Sequence, residues 1–416
     1  MKIIDMHCDT ISELAKIKKE GREQDAGDSL QGSLRDSRKE SLRENNRHID
    51  LLRMKKSGYL LQNFALFVDV GALTPSCEET YEGSGTNSRG NPWAPPCEDP
   101  WAPPCEDPWA PPCEDPWGEV CALYEVYQEE MAANSDLIAP VLKYEDIAAN
   151  EAAGKMSAML TVEEGAVCMG EISKLKELYR MGVRMMTLSW NYPNELCHPN
   201  LDSRRGKQVW ALCRELKESN LKKEAYAARQ KAVQEIFESY FYTADTENGL
   251  TEKGREFVTK MQEMGMIVDV SHMSDAGFKD VLAITKKPFV ASHSNARSIC
   301  RCSRNLTDDM IRQLGSCGGC MGLNFCADFL REMPVGKENP GAIEDVVRHA
   351  GHISDVGGIE VLGLGSDFDG IDTNEGLPGA QSMGRLWEAL HKAGYTQREL
   401  DKIFYGNVMR VYEECL

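Results

Sequence analysis

The chain of 416 residues is 42% hydrophobic, so it is long enough to bury either two ordinary cores or one large barrel. A formal net charge of -19 argues against nucleic acid or an anionic membrane as a partner, because a dense polyanion repels an acidic surface. The 15 cysteines are odd in number and scattered through apolar segments, which predicts reduced thiols in a cytoplasmic protein rather than a disulfide framework.

Eight short apolar runs alternate with segments of helical periodicity, a pattern typical of βα units around a parallel sheet. The first run directly follows Met1-Lys2, and no run approaches the roughly 18 apolar residues of a membrane helix, so we expect neither a signal peptide nor a membrane anchor. The predicted strands are 2–6, 61–68, 157–162, 184–189, 266–271, 288–292, 319–325 and 361–366. They predict a closed (β/α)8 TIM barrel and a single α/β catalytic domain over residues 1–416.

Two of the crossover helices have recognisable ends. Thr251 begins a predicted helix that runs to residue 264 and ends at Gly265. Thr307 begins another as its N-cap, and this helix is predicted to run to residue 314 and to stop at Gly315.

A proline-rich stretch at about residues 90–117 interrupts the βα rhythm. The octapeptide Pro-Trp-Ala-Pro-Pro-Cys-Glu-Asp occurs three times in succession, beginning at Pro92, Pro100 and Pro108. Dense proline favours an extended polyproline II chain over a packed element. We interpret the stretch as a surface insertion, with a docking segment for a proline-binding partner as the alternative.

Residues 198–248 form a second interruption, which is too long for an ordinary connection. Within it, residues 223–240 have the pattern of a charged helix whose apolar stripe would consist of Ala228, Ala232, Ile236 and Tyr240. We interpret this largely helical insertion as packed on the exterior of the barrel. A lid over the site and a contact in a homodimer are the alternatives, and the sequence does not choose among them.

Candidate metal ligands and proton-transfer groups follow five of the eight predicted strands, at the carboxyl ends where a βα barrel carries its reactive groups. Any one of them has a simple structural explanation, but buried ionisable side chains are costly without partners or metals, so the set predicts a site. They are His7 and Asp9 after the first strand, Glu163 after the third, His272 after the fifth, His293 after the sixth, and Asp367 and Asp369 after the eighth.

His7 and Asp9 leave one strand on the same side, because strand side chains alternate, and both can therefore reach one ion. Imidazole and carboxylate ligands together suit zinc or a related divalent cation. A carboxylate such as Glu163 can bridge two ions roughly 3.5 to 4 Å apart. The residues thus predict a two-metal hydrolase in which a water between the ions becomes a hydroxide nucleophile.

Five motifs lie at these strand ends: IDMHCD at 4–9, TVEEG at 161–165, IVDVSHMS at 267–274, ASHSNAR at 291–297 and LGSDFDG at 364–370. With them the chain resembles the membrane dipeptidase (renal dipeptidase-like) family of zinc metallopeptidases, peptidase family M19, of the bacterial type. The resemblance runs from His7 to the C-terminal segment. It implies a barrel of the metal-dependent hydrolase type that hydrolyses dipeptides.

The resemblance also implies a binuclear site with two Zn²⁺ ions and selects Glu163 over the adjacent Glu164 as the bridging ligand. The implied ligands are His7, Asp9 and Glu163 for one ion, and Glu163, His272 and His293 for the other.

Three further roles follow from the same resemblance. A metal-bridging hydroxide would attack the peptide carbonyl, and Asp367 would handle the proton of the bridging water and of the leaving amine. Arg304 would bind the terminal carboxylate of the substrate bidentately, with Arg297 and Arg301 as weaker candidates. Asp369 is interpreted as structural support.

The chain departs from the animal members of the family at Trp190, where they carry a histidine that helps to stabilise the tetrahedral intermediate. Loss of that donor predicts weaker oxyanion stabilisation unless Asn191 or a metal ion replaces it, and we expect both residues at the substrate. Two alternatives stay open: opening of a cyclic amide or lactam on a similar barrel, and a metal-binding scaffold that has lost catalysis.

Overall fold

The computed structural model describes residues 1–27, 40–71, 115–335 and 337–416. Its strands, in chain order, are β1 (Ile3–Asp5), β2 (Tyr59–Phe67), β3 (Ile138–Pro140), β4 (Met156–Glu163), β5 (Val183–Thr187), β6 (Ile267–Asp269), β7 (Val290–Ala291), β8 (Cys320–Leu323) and β9 (Leu362–Leu364). They pair in the order β2-β1-β9-β8-β7-β6-β5-β4-β3, and β2 also pairs with β4. That last pairing closes every strand except β3 into a parallel barrel, so the predicted (β/α)8 TIM barrel is confirmed.

Helices connect most of the barrel strands and cover the outside of the barrel. In the described ranges they are α1 (Thr10–Gly27), α2 (Leu51–Ser57), α3 (Pro116–Ala133), α4 (Tyr144–Ala152), α5 (Ile172–Met181), α6 (Ser203–Glu218), α7 (Lys223–Phe241), α8 (Glu252–Met264), α9 (Asp275–Ile284), α10 (Asp308–Ser316), α11 (Ala327–Leu330), α12 (Ile343–Gly357), α13 (Met383–Lys392), α14 (Gln397–Asp401) and α15 (Asn407–Cys415). Among the described residues, no helix has both the length and the apolar character needed to span a membrane.

One end of the barrel is filled with apolar side chains. Strand residues in this cluster include Ile4, Leu61, Met159, Met185, Ile267, Val290 and Cys320. They come from strands on all sides of the ring, so they meet in its interior. Helix α15 closes this end, and its Tyr412 donates a hydrogen bond to Asn63 Oδ1 at 2.9 Å. The opposite end, where the strands finish, is therefore the end that can hold a site.

The short strand β3 is the element of the sheet that the sequence analysis missed. It pairs with β4 at the edge of the sheet and does not belong to the closed ring. With three residues, the last of them a proline, it has neither the length nor the periodicity that marks a strand in sequence.

The helix ends were predicted correctly in one case and partly in the other. α8 begins after its N-cap Thr251 and ends at Gly265, which has a left-handed φ of 77°. α10 begins after Thr307 as expected, but the stop at Gly315 was wrong, because the helix continues for one more residue. A Cβ at Gly315 would lie 2.8 Å from the carbonyl oxygen of Gly357, so this glycine allows α10 and α12 to approach closely.

Residues 198–248 contain the helices α6 and α7, which pack against each other. The predicted apolar stripe of α7 was right at Tyr240, which is buried, and wrong at Ala228, Ala232 and Ile236, which are exposed. Alanines carry too little apolar surface to define a buried face. The larger aromatic side chains define it instead. The buried residues of α7 are Val233, Phe237, Tyr240 and Phe241.

The octapeptide repeat lies outside the described residues except for its last part. Asp115 caps α3 by accepting a hydrogen bond from Gly118 N at 2.9 Å, and Pro116 is the first residue of the helix. Trp117 packs against the main core. Pro116 and Trp117, which repeat the first two residues of the octapeptide, belong to α3, and the bounds of the insertion stay a prediction.

Candidate metal centre

The five predicted metal ligands converge at the carboxyl ends of β1, β4, β6 and β7. His7 Nε2 lies 3.3 Å from Asp9 Oδ2 and 3.4 Å from Glu163 Oε2. The other oxygen of Glu163, Oε1, lies 2.9 Å from His272 Nε2 and 3.5 Å from His293 Nε2. Glu163 therefore stands between a histidine–aspartate pair and a histidine pair, which is the arrangement that a bridging carboxylate requires.

These contacts form two candidate ligand sets, each compact enough for one ion. In each set the donor atoms lie within 4.8 Å of one another and the residues are buried. The sets are His7, Asp9 and Glu163, and Glu163, His272 and His293. A third such group, His7, His293 and Asp367, overlaps both. Imidazole nitrogens and carboxylate oxygens in this number suit zinc.

The hydrogen bonds of two histidines leave both of their Nε2 atoms without a proton. His272 Nδ1 lies 2.9 Å from Asn191 Oδ1, and because an amide oxygen only accepts, this Nδ1 carries the ring proton. His293 Nδ1 lies 2.7 Å from Ser292 Oγ, whose own proton goes to Asp269 Oδ2 at 2.5 Å, so this Nδ1 is also a donor. The two Nε2 lone pairs then face each other at 3.0 Å. They repel unless a cation lies beside them, so the residues fit a metal.

The charges of the centre lead to the same conclusion. His7 Nε2 and Asp9 Oδ1 are buried without a hydrogen-bond partner. Burial raises the pKa of Glu163 to about 7 and also raises the pKa of Asp367. A bound divalent cation reverses this effect, because it stabilises carboxylates in their charged form. The protein thus gathers carboxylates whose ionised state is unfavourable until a cation joins them.

Glu164, next to the bridging position, faces away from the centre. Its carboxylate accepts hydrogen bonds from the backbone N–H groups of Ala166 and Trp190, both at 3.0 Å, and from Asn194 Nδ2 at 2.6 Å. Its backbone has a φ of 88°, so the chain turns sharply after β4. The choice of Glu163 as the inward-facing glutamate agrees with this geometry.

The two aspartates after β9 also point in different directions. Asp367 Oδ1 lies 3.9 Å from His7 Nε2, and its Oδ2 accepts a hydrogen bond from Asn324 Nδ2 at 2.9 Å. Asp369 accepts a hydrogen bond from Thr10 Oγ1 at 2.6 Å and so contacts the start of α1. Asp367 therefore borders the metal ligands, whereas Asp369 holds the surrounding backbone.

Arg304 is a buried arginine with unused donors. Its side chain donates from Nη1 to Ser294 Oγ at 2.8 Å, while Nε and Nη2 have no hydrogen-bond partner. Burial lowers the pKa of Arg304, and the charges of Asp367 and Glu163 act against this. Free guanidinium donors suit a carboxylate ligand.

The other two arginines considered for a substrate carboxylate have partners of their own. Arg297 forms a bidentate ion pair with Asp275, with both N–O distances at 2.8 Å. Arg301 pairs with Glu332 at 2.8 Å, and its side chain is 62% exposed. Among the three, Arg304 alone combines burial with unused donors in the described structure.

Trp190 and Asn191 both lie beside His272. The indole ring centroid of Trp190 is 6.3 Å from that of His272 and 4.9 Å from that of Phe67. The side-chain oxygen of Asn191 accepts a hydrogen bond from Nδ1 of His272. Its carboxamide oxygen therefore orients a ligand, a role that the sequence analysis did not foresee.

Supporting residues were also missed because they depend on contacts between distant segments. Asp269 accepts hydrogen bonds from Thr187 Oγ1 at 2.6 Å and from Ser292, so it holds the partner of His293. A buried acid inside a predicted strand was the available signal. Gly370 leaves room for Asp9: a Cβ there would lie 2.2 Å from Asp9 Oδ2, so the carboxylate would have to move.

The family model described as membrane dipeptidase, peptidase family M19, matches residues 1–211 and 226–415. An uncharacterized dipeptidase of Schizosaccharomyces pombe is 34% identical over 172 residues, and Dipeptidase 3 of Mus musculus is 29% identical over 267 residues. These matches cover 40% and 62% of the present chain. The chain spans 40% and 45% of the two relatives, which is less than half of their length.

A crystal structure of a metallopeptidase from Rhodobacter sphaeroides, liganded with a phosphinate mimic of the dipeptide L-Ala-D-Ala, has a similar fold. The TM-score is 0.71 at 23% identity, and the alignment covers 100% of this chain and 99% of that chain. At this identity the likeness establishes the fold, while the match to the family model extends over nearly the whole sequence. The chain belongs to the membrane dipeptidase family, peptidase family M19.

Proposed function

We propose that this protein is a two-zinc dipeptidase that hydrolyses the peptide bond of dipeptides. The observation that carries the proposal is the position of Glu163, with one carboxylate oxygen towards His7 and the other towards His272 and His293. Membership of the dipeptidase family supports the substrate class. The relative from Rhodobacter sphaeroides, with its phosphinate mimic of a dipeptide, supports it further.

Each of the two ligand sets would hold one metal ion, and the sets share Glu163. Two cations held by these residues would supply an activated water as the nucleophile at neutral pH and would polarise the scissile carbonyl. Asn191 and Ser292 fix the ring protons of His272 and His293 on Nδ1, which leaves each Nε2 free to bind metal. The proposed ligands are His7, Asp9 and Glu163 for one ion, and Glu163, His272 and His293 for the other.

Asp367 is the proposed proton carrier. Asn324 holds its Oδ2, so Oδ1 is left on the side of the metal ligands, 3.9 Å from His7 Nε2. From there Oδ1 can take the proton of the nucleophile and deliver it to the leaving amine. Asp369, with its hydrogen bond to Thr10, has no such access.

Arg304 is the proposed anchor for the terminal carboxylate of the substrate. Arg304 is only 3% exposed, and its unpaired Nε and Nη2 would gain a hydrogen-bond partner when a carboxylate binds. An anchor fixed near the metal ligands places one peptide bond at the reacting position. A limit to dipeptides would require the amino end of the substrate to be held as well. Trp190, beside His272, offers an apolar surface for the substrate.

The substitution Asp367→Asn tests the mechanism. It retains the volume and the contact with Asn324 but removes the proton-accepting charge. We expect kcat for dipeptides to fall on the order of 10²- to 10⁴-fold, while bound zinc stays at the wild-type level. Steady-state kinetics and elemental analysis of the purified protein measure both. Unchanged turnover would refute the assigned role.

A further inference from the structure

The loop that carries Arg304 closes on itself between Asn295 and Leu306. At its base, Arg297 N donates to Leu306 O at 2.8 Å, and Leu306 N donates to Asn295 O at 2.9 Å. Residues 297–305 contain no helix or strand, so their backbone carbonyl groups need partners from outside regular secondary structure. How this loop is held decides where the guanidinium of Arg304 lies.

A single side chain, that of Arg297, binds both carbonyl groups that flank Arg304 in the chain. Its Nη2 donates to Ser303 O at 2.7 Å, and its Nε donates to Asn305 O at 2.8 Å. The same guanidinium pairs with Asp275 through Nη1 and Nη2, both at 2.8 Å. Its planar fork therefore ties the loop on both sides of Arg304 to one carboxylate.

Asp275 is itself firmly placed. It is the first residue of α9, three positions after His272. Asn200 Nδ2 donates to Asp275 Oδ1 at 2.9 Å and to Ser303 O at 2.8 Å, which adds a second bond to the same loop carbonyl. The side chains of Arg297 and Asp275 are only 16% and 8% exposed, so solvent competes little with the pair.

We propose that Arg297 and Asp275 are positioning residues that set the place of Arg304 relative to the metal ligands. The connection runs from His272 through the start of α9 and Arg297 to the carbonyl groups of Ser303 and Asn305. This inference rests on the proposed function, because it requires Arg304 to bind the carboxylate of a substrate. It assigns Arg297 no contact with substrate.

A double-mutant cycle in the full chain tests the proposal, with Ala-Ala dipeptides of either configuration at the second residue as substrates. Arg297→Lys keeps the charge but loses the planar fork. We expect it to lower kcat/KM on the order of 10- to 100-fold, mainly through KM. In an Arg304→Ala background the same change should alter kcat/KM by less than about twofold, since no anchor is left to position.

The matched control is Arg301→Lys, at an exposed arginine of the same loop that pairs with Glu332. It should leave kcat/KM unchanged in both backgrounds. Bound zinc and the far-UV circular dichroism spectrum should be the same in all variants. If Arg297→Lys proves unfolded, Asp275→Asn takes its place in the cycle with the same expectation.

Two results would overturn the proposal, and they differ. An equal loss from Arg297→Lys with and without Arg304 would show that Arg297 supports the fold in general, and the proposed function would stand. If Arg304→Ala alone left kcat/KM at the wild-type value, the anchor in the proposed function would be wrong, and the positioning role would be wrong with it.

Discussion

At the scale of single residues, the adjacent Glu163 and Glu164 show what separates a proposed metal ligand from a structural carboxylate. Burial raises the pKa of each to about 7, so burial does not distinguish them. Their partners do. Glu164 accepts three hydrogen bonds from N–H groups of its own surroundings, whereas Glu163 is surrounded by histidines and by Asp9.

The two glutamates form a matched pair for substitution. Glu163→Gln removes the charge of the bridging ligand, and we expect bound zinc to fall from about two ions per chain to one or none. Glu164→Gln places an amide N–H₂ against N–H donors, which should lower the free energy of unfolding by about 1–3 kcal/mol and leave zinc in place. Elemental analysis and chemical denaturation separate the two effects. Equal zinc content in both variants would contradict the assignment of Glu163.

The residue types of the centre are visible in sequence, but their supports are not. His7, Glu163 and His293 follow predicted strands, so their convergence follows from the barrel itself. Asn191 and Asp269 act through contacts with residues 81 and 23 positions away, and no local pattern announces such pairings. The geometry of a site is thus less predictable than its composition.

At the scale of elements, the turn after β9 places Gly370 against the carboxylates of Asp9 and Asp367. A Cβ at Gly370 would lie 2.2 Å from Asp9 Oδ2 and 2.7 Å from Asp367 Oδ1. Gly370→Ala should therefore displace both groups and lower kcat/KM on the order of 10- to 100-fold. Steady-state kinetics with a dipeptide measures the loss.

The control for this change is Gly351→Ala, inside α12, where an added Cβ meets no atom within 4 Å. It should keep full activity and raise the free energy of unfolding by about 0.5–1 kcal/mol, because alanine is the better helix former. Full activity in Gly370→Ala would show that the turn tolerates a side chain and that the carboxylates are less constrained than the distances indicate.

Helix α12 contacts the loop between Asn295 and Leu306, which carries Arg304, through a buried histidine. His349 Nδ1 accepts a hydrogen bond from Ala296 N at 3.1 Å, and Nε2 donates to Leu330 O at 2.9 Å. Burial lowers the pKa of His349 to about 4. The ring is thus neutral in the folded protein at a pH where the unfolded chain, with a histidine pKa of about 6.5, takes up a proton.

Acid should therefore destabilise the fold through His349. Protonation of the unfolded state begins as the pH falls through about 6.5, and the loss of stability continues down to about pH 4, reaching about 2 kcal/mol by pH 5. His349→Gln should lack this part of the pH dependence, whereas His391→Gln, at an exposed position of α13, should keep it. Denaturation curves at pH 7 and pH 5 provide the comparison. An identical pH dependence in wild type and His349→Gln would rule out this source.

The elements themselves were largely predictable because apolar runs and caps are local signals. All eight barrel strands were found, and the caps Thr251 and Thr307 lie at the predicted helix starts. The errors occurred where packing against other elements determines the end of a helix or its buried face. Gly315 lies inside α10 because another helix approaches it, and the buried face of α7 depends on aromatic neighbours.

At the scale of the whole molecule, the closed barrel keeps packing and chemistry at opposite ends. α15 closes one end, and the strand ends and the loops after them carry the proposed metal ligands at the other. The chain has a formal net charge of -19, so the proposed binding of a substrate carboxylate depends on a local positive group, for which Arg304 is the candidate. The division into a single domain with two insertions stays a prediction.

The most direct test of the central claim is a zinc titration of the metal-stripped protein, followed by dipeptide hydrolysis. Activity is the readout, because the 15 cysteines of the chain can bind additional zinc. We predict no turnover without metal and a rise to a plateau at about two ions per chain. Full hydrolysis by the stripped protein, or saturation with zinc without hydrolysis of any dipeptide, would contradict the account.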